Sequence, residues 1–352
     1  MLPSVKAILL LGIAVPAVVT AQEAAEPRLQ DHSPEIQSEF LRLDVEARVD
    51  YGHVSYDGHT SDSQTGFDGR YILLRADGRI ADGWTYSWRQ RFNQNYENFK
   101  GTDWLYVDYT YRRWNFNGGK EVVAIGGYEY DRVPTDVYGY SVFWSNIACF
   151  QYGASVGYAV SQRDRLTVQV SQSPFATDDR RNMYGYNLMW NGSHGWFEAL
   201  WSVNLLEYAP KHYISYISLG SRFTLGKMCL ELDLMNRAAS HQAFWVKDCS
   251  VVADLGYRPT PSWRIFGKYT YDVNRTGTDA DLVVLPGTEL NMAGGGIEFY
   301  PLATRRSRLR VHACCFYSWG SNASPDALMK HNTVYATAGL TWDMNFLNIK
   351  RK

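Results

Sequence analysis

The 352-residue sequence has few long apolar runs, and this limits how the chain could cross a membrane. Its one extended run, Ala7–Val18, follows Lys6 and precedes the small residues Val19-Thr20-Ala21. That pattern predicts a secretory signal peptide over residues 1–21. The run is shorter than the roughly 20 residues that a membrane-spanning helix needs. We therefore expect an exported chain without spanning helices, beginning with a polar lead-in over residues 22–36.

An excess of charge and a cysteine framework are also missing. Lysine and arginine number 35 against 36 acidic residues, a net charge of -1, so there is no basic surplus to neutralise a nucleic acid. No CxxC motif or Cys/His zinc spacing occurs. We interpret all five cysteines as small apolar residues: Cys149, Cys229, Cys249, Cys314 and Cys315.

The sequence is rich in aromatic residues, and in many segments apolar residues alternate strictly with polar ones. Aromatics make up 15% of the chain, more than a single core usually holds. In Leu41–Tyr51 the odd positions are apolar, whereas the even positions are Arg42, Asp44, Glu46, Arg48 and Asp50. Successive strand side chains point to opposite faces, so this segment has one apolar and one charged face. Such a strand is typical of a transmembrane β-barrel, and its length fits a tilted crossing of about 9–11 residues.

The alternation recurs to the C-terminus, although it slips near 196–206, 213–223 and 290–300. It predicts an all-β, antiparallel transmembrane barrel of about 16 strands over residues 37–347, with a short basic tail at 348–352. The barrel would have short periplasmic turns and long external loops. Short turns are predicted at Asp77-Gly78, Asn117–Lys120, Ser161–Asp164, Thr224–Lys227 and Pro259–Ser262. A soluble β-sandwich would explain the alternation but not the dense charged faces.

One connection differs from the others because it is rich in aromatic residues. The segment 130–146 is the third long loop, and its rings predict that it folds into the barrel and packs on the inner wall. The alternative is an external loop that packs on its neighbours. The residues expected to form the constriction are Glu129, Asp131, Arg132, Asp136, Tyr138 and Tyr140.

The charged faces of the strands predict a water-filled interior. The cations expected to line the pore are Arg42, Arg48, Arg89, Arg91, Arg112, Arg165, Arg264, Lys268, Arg308 and Arg310. Acids share these faces, namely Asp44, Glu46, Asp50, Asp108, Glu231, Asp233, Asp254, Asp272 and Asp343. This mixture predicts a wet lumen without fixing the sign of the ion it prefers.

The run Gly126-Gly127-Tyr128-Glu129-Tyr130-Asp131, followed by Pro134, Asp136 and Tyr138, resembles the phosphate-selective porin O and P family in its Bacteroidetes branch. Later segments fit the same resemblance: Ser171–Phe175, Trp201–Asn204, Glu207-Tyr208, Glu231–Arg237, Val311–Ala313 and Gly339–Trp342. The resemblance implies a trimeric outer-membrane barrel of 16 strands, with an infolded third loop and arginines lining the pore. Residues 130–146 depart from the lysine-bearing loop of a phosphate channel, since they hold one arginine, two aspartates and no lysine.

The expected function is passive diffusion of small hydrophilic solutes or ions, anions such as phosphate among them, through an outer-membrane porin. We expect a homotrimer in outer-membrane lipid, with no cofactor, bound metal or catalytic residue. One alternative is a non-conducting surface barrel that binds glycans through aromatics such as Phe99 or Trp245. Another is an outer-membrane barrel hydrolase. His312 and Ser318 share a face but would lie about 20 Å apart along a strand, too far to form a dyad.

Overall fold

The computed structural model describes residues 39–92, 101–242, 247–303 and 307–350. The predicted signal peptide and lead-in lie outside these residues, and so do Phe99 and Trp245. Within the described residues, sixteen long strands and the two-residue β2 form one antiparallel sheet. The strands are β1 Glu39–Tyr56, β2 His59–Thr60, β3 Gly66–Ala81, β4 Trp84–Arg91, β5 Thr102–Tyr111, β6 Trp114–Val122, β7 Phe150–Ala159, β8 Asp164–Gln172, β9 Tyr184–His194, β10 Phe197–Ala209, β11 His212–Leu225, β12 Met228–Ala239, β13 Asp248–Thr260, β14 Trp263–Asn274, β15 Glu289–Ala303, β16 Ser307–Ser321 and β17 Thr333–Lys350.

The sheet closes on itself into a barrel. Each long strand pairs with the long strands before and after it in the chain, and β1 pairs with β17 from Glu39 opposite Lys350 to Tyr56 opposite Thr333. Closure leaves no unpaired edge among these strands, which is the condition for a sheet in lipid. The prediction of a closed antiparallel barrel of about 16 strands is confirmed. In the part of the chain that the structure describes, no helix is long and apolar enough to cross a membrane.

The alternation along the strands sorts side chains between the two sides of the wall. On β1, Arg48 and Asp50 are 3% and 1% exposed, whereas Val49 and Tyr51 are 49% and 47% exposed. The charged face therefore points into the barrel and the apolar face points outward. This is the arrangement that lipid outside and water inside require.

Outward aromatic side chains form bands at both ends of the barrel. Near the short turns, the ring centroids of Trp84 and Tyr109 are 4.7 Å apart, and those of Trp114 and Tyr158 are 4.6 Å apart. Near the long connections, Tyr317 and Trp319 stack at 6.0 Å. Such bands mark the two interfaces of a membrane with water. We call the two ends of the barrel the turn end and the loop end.

Connections at the turn end are short, at 82–83, 112–113, 160–163, 195–196, 226–227 and 261–262. Fully described connections at the loop end include the longer segments 57–65, 123–149, 173–183, 275–288 and 322–332. One loop-end connection, 210–211, has only two residues. The predicted rhythm of short and long connections is therefore present with this exception.

The turn predicted at Asp77-Gly78 is wrong, because β3 continues to Ala81. Asp77 faces the lumen and pairs with Arg75 at 2.6 Å. A Cβ at Gly78 would overlap the carbonyl oxygen of Phe40, so glycine is needed here because the neighbouring strand approaches closely. The chain reverses instead at 82–83.

The turn predicted at Asn117–Lys120 is also wrong, because these residues lie within β6. Asn117 faces the lumen and donates a hydrogen bond to Asp108 at 3.0 Å. A Cβ at Gly119 would overlap the carbonyl oxygen of Leu105. The reversal occurs at 112–113, where Arg112 has a left-handed φ of 57°.

Candidate functional site

Residues 123–149, which connect β6 to β7, lie inside the barrel, and we call them the inner loop. They contain two short helices, α1 Tyr128–Asp131 and α2 Val142–Asn146, with a 3₁₀ turn at Pro134–Asp136 between them. Every residue from Val123 to Gly139 is buried. The prediction that this segment folds into the barrel therefore matches the structure.

The aromatic residues of the inner loop pack on one another and on the wall. The rings of Tyr130 and Phe143 are 5.9 Å apart, and Tyr138 stacks on Phe266 of β14 at 5.4 Å. Burial of these rings gives the loop its own apolar contact with the wall. Nearer the loop end, Tyr140 stacks on Trp144 at 5.1 Å. Burial raises the pKa of Tyr140 to about 12, so its hydroxyl stays neutral.

Neutral amide and hydroxyl side chains of the wall hold the first residues of the inner loop. The Ala124 N–H donates to Gln169 at 2.7 Å, and Asn204 donates to the Ala124 carbonyl at 2.7 Å. The Gly126 N–H donates to Ser202 at 2.8 Å. A loop inside a barrel must satisfy its backbone groups, and here the wall does so.

An aspartate of the barrel wall accepts the first backbone N–H groups of each helix of the inner loop. Asp233 of β12 accepts the backbone N–H groups of Tyr128 at 2.7 Å and Glu129 at 2.8 Å. Asp272 of β14 accepts those of Val142 at 2.9 Å and Phe143 at 3.4 Å. Carboxylates satisfy the free N–H groups at a helix start and favour its positive end. The two aspartates thus fix α1 and α2 to different strands.

Lys268 of β14 connects three parts of the inner loop. Its ammonium lies 2.6 Å from the Glu129 carboxylate and donates to the Tyr138 carbonyl at 3.1 Å. Glu129 in turn accepts the Ser141 N–H at 3.0 Å and also the Ser141 hydroxyl. One buried ion pair therefore joins α1, the start of α2 and the segment between them.

The 3₁₀ turn is held by arginines on two strands. Arg48 of β1 donates to the carbonyls of Thr135 at 3.1 Å and Val137 at 3.0 Å. Arg310 of β16 donates to the same Thr135 carbonyl at 2.7 Å and forms an ion pair with Asp136. Arginine suits this role because its fixed fork of donors holds several acceptors at once.

A chain of ion pairs continues along the wall from Arg132. This residue contacts Glu231 and lies 3.1 Å from Asp254. Asp254 also contacts Arg264 at 3.1 Å, and Arg264 reaches Glu298 at 3.3 Å. Acids and bases therefore alternate along this row of five side chains.

The structure places eight of the ten predicted cations on the inner wall in ion pairs with described residues. They are Arg42, Arg48, Arg89, Arg91, Arg264, Lys268, Arg308 and Arg310. Arg165 also lines the lumen but forms no ion pair with a described residue. Arg112 does not line the lumen, because it occupies the exposed turn at 112–113. Their part in conduction stays a prediction.

The predicted constriction residues all lie in the inner loop. Glu129, Arg132 and Asp136 form the ion pairs described above, and Asp131 is buried at the end of α1. Tyr138 stacks on Phe266 at 5.4 Å and contacts the tilted ring of His312 at 4.7 Å. Tyr140 lies nearer the loop end. That these residues determine the narrowest width of the pore remains a prediction.

Sequence reasoning missed a second infolded connection, residues 275–288. Its Asp281 forms an ion pair with Arg237 of β12 at 2.7 Å, and Arg237 also contacts Asp248 at 2.8 Å. Asn146 of α2 donates to the Val283 carbonyl at 2.8 Å. The apolar run Leu282–Leu285, of which Val283 and Val284 are buried, is the sequence signal that could have shown that this segment turns inward. The segment packs against the inner loop at the loop end.

A closed antiparallel barrel with an apolar outer face, aromatic bands and a polar interior defines an outer-membrane β-barrel protein, and the protein is located in the outer membrane. The sequence matches the model of the family described as phosphate-selective porin O and P over residues 41–197. The match includes the inner-loop motif and Ser171–Phe175 and confirms the resemblance there, whereas the motifs after residue 197 lie outside it.

Solved structures of outer-membrane porins share the fold. The anion-selective porin from Comamonas acidovorans is 10% identical, with a TM-score of 0.61 over 86% of this chain and 99% of that one. The outer membrane channel DcaP of Acinetobacter baumannii is 12% identical, with a TM-score of 0.56 over 86% and 96%. OmpT of Vibrio cholerae in its trimer form is 12% identical, with a TM-score of 0.58 over 88% and 99%. A search of curated proteins found no match.

Proposed function

We propose that this protein is a porin, a passive outer-membrane channel for small hydrophilic solutes and ions. The observation that carries the proposal is the inner loop, held by charged and polar wall residues inside a closed barrel. A loop in this position narrows the lumen, and its charges face the path that a solute takes. The family match and the porin fold support an outer-membrane channel.

We further propose that the channel is only weakly selective among ions. A phosphate ion gives up strong hydration, so a phosphate site needs several cationic donors free to replace water. Near the inner loop, Arg48, Lys268 and Arg310 already bind carboxylates or loop carbonyls. An anion there would have to displace a partner from each of them. Arg165, at the turn end, is the predicted cation best able to attract an anion.

The proposed assembly is a homotrimer without cofactor or catalytic residues. The trimer form of the similar Vibrio cholerae structure supports it, as does the resemblance to trimeric porins. Light scattering of the detergent-solubilised protein, corrected for bound detergent, should give three chains per particle. A one-chain mass would contradict the trimer.

Recordings in planar lipid bilayers test the channel directly. The purified protein should give stable ion conductance, and a folded preparation that stays silent would overturn the proposal. Removing residues 133–144 should raise the conductance because this segment includes the 3₁₀ turn held against the wall. An unchanged or smaller conductance would show that the inner loop does not constrict the pore. The reversal potential in asymmetric salt should be small, as expected for weak selectivity.

A further inference from the structure

An open groove of about 950 Å³ lies on the outer face of the barrel near the loop end. One side of the groove is the wall of strands β6 to β9, and the other side is the connection 173–183. The wall side chains that line it face outward, since Tyr152, Val170 and Tyr184 are 65%, 45% and 47% exposed. The groove therefore lies on the lipid side of the wall and is separate from the lumen.

The connection 173–183 is held over the wall at both of its ends. Ser173 and Met183 are 0% and 2% exposed. On the outer face, the Gln172 amide donates to the Arg181 carbonyl at 3.1 Å. This bond keeps the backbone at Arg181 close to the wall, while its guanidinium stays exposed.

Two cations line the groove, one from the wall and one from the connection. The ammonium of Lys120 on β6 lies 5.9 Å from the ring centroid of Tyr152 and donates to the Thr102 carbonyl at 2.6 Å. This bond uses one of the three N–H donors of an ammonium. Arg181 pairs with Asp178 at 3.3 Å, and such an exposed pair is weak enough to give way to another anion. Among the described residues of the lining, two bases stand against one acid.

The side chains at this level suit the boundary between lipid headgroups and acyl chains. Four polar or aromatic side chains form one row across the strands: Lys120, Tyr152, Gln172 and Tyr184. Tyrosine belts mark the headgroup level of a membrane, and the long connections of such barrels face outside the cell. Toward the middle of the membrane, the next row contains Gly118, Ala154 and Val170. An acyl chain can lie along this low apolar surface while its headgroup stays in the groove.

We propose that the groove binds the headgroup of a phosphate-bearing glycolipid of the outer leaflet, with an acyl chain on the apolar surface beside it. The phosphate accepts charge-assisted hydrogen bonds from Lys120 and Arg181. The rings and hydroxyl groups of Tyr152 and Tyr184 pack against the sugar and bond to it. The inference rests on the location in the outer membrane and does not depend on conduction.

Diphosphoryl lipid A, a phosphorylated and acylated disaccharide, is the probe, and native mass spectrometry of the whole protein in detergent counts the bound lipid. We expect saturable binding. Lys120→Gln and Arg181→Gln should each weaken it about 10-fold, the effect of one lost charge-assisted hydrogen bond. Lys120→Arg keeps a cation on the wall and should retain binding. Arg112→Gln is the matched control, because it removes an exposed charge at the turn end, and it should bind as the wild type does.

Equal affinities of the wild type, Lys120→Gln and Arg181→Gln would overturn the inference. Because the Arg181 side chain is exposed, Arg181→Gln tests the groove even if Lys120→Gln fails to fold. Displacement of lipid A by inorganic phosphate at the same concentration would show a site for the free anion and overturn the lipid. Equal binding of phosphatidylglycerol would show that the sugar is not recognised and would overturn the glycolipid.

A second copy of the chain could cover the same face. Loss of the trimer mass in Lys120→Gln, with its lipid affinity unchanged, would assign the groove to that contact and overturn the lipid site. A protein that binds lipid A but stays silent in bilayers supports the site and contradicts the channel. A protein that conducts but binds no lipid A disproves the site alone.

Discussion

Removing the wall carboxylates that hold α1 and α2 should release the inner loop. Asp233 accepts two backbone N–H groups of α1, and Asp272 accepts two of α2. The variants Asp233→Ala and Asp272→Ala each delete both acceptors at one helix. Asp233→Asn deletes one, because the amide of asparagine has a single acceptor oxygen. The barrel wall itself keeps its strand pairing in all three variants.

The size of the effect follows from the number of bonds lost. A hydrogen bond to a charged group contributes about 1.5–3 kcal/mol, and water in the lumen replaces part of what is lost. At the lower value, two bonds amount to about 3 kcal/mol, which shifts the equilibrium between seated and released loop about 100-fold. Loss of one bond in Asp233→Asn should shift it about 10-fold.

Two measurements report this equilibrium. Cleavage of the inner loop by proteinase K tracks the released population when opening and closing are faster than cleavage. Single-channel recordings report the fraction of time spent at a higher conductance. Asp44→Ala is the control, because Asp44 faces the same lumen but pairs with Arg42 at 2.7 Å. If Asp233→Ala and Asp272→Ala are cleaved and conduct like Asp44→Ala, the aspartates do not hold the loop.

Three further predictions test other parts of the lumen. Gly126→Ala should prevent seating of the inner loop, because its Cβ would overlap the carbonyl oxygen of Leu200, and the refolding yield should fall; a normal yield would contradict this. Arg237→Ala should lower the thermal midpoint, since leaving Asp281 as an unpaired buried charge costs about 3–5 kcal/mol, and an unchanged midpoint would mean that water compensates. Arg165→Glu should shift the reversal potential toward cations, and no shift would show that this residue does not influence selectivity.

The wall of the barrel could be predicted from the sequence because its signal is local. Within each strand, apolar residues that face lipid alternate with polar residues that face water. On β1, for example, Arg48 and Asp50 point into the barrel and Val49 points outward. The three strands whose alternation slips were still located, since Phe197–Ala209, His212–Leu225 and Glu289–Ala303 overlap the predicted segments. Closure then follows from the even number of strands and the cost of an unpaired edge in lipid.

Turns were predicted less well because local turn signals compete with packing between strands. Asp77-Gly78 and Asn117–Gly119 have the composition of tight turns, yet Gly78 and Gly119 lie where neighbouring backbones approach closely. Arg75, which precedes the first of these turns, was not among the predicted pore-lining cations, yet it faces the lumen on β3 and pairs with Asp77.

The partners of the inner loop could not be predicted from spacing alone. Asp233 lies 105 residues from Tyr128 in the sequence, and Asp272 lies 130 residues from Val142. Both aspartates look like ordinary lumen-facing acids on amphipathic strands. Only the folded barrel brings them to the ends of the two short helices.

The carbonyl of Thr135 has a consequence for how the protein assembles. It accepts hydrogen bonds from Arg48 on β1 and from Arg310 on β16, the strands on either side of β17. In the closed barrel these two strands are joined through β17, and this brings both arginines to the same carbonyl. We therefore expect the 3₁₀ turn to take its final position when β1 and β17 pair, so that a seated inner loop reports a closed barrel. A barrel inserted with an open seam would lack this contact.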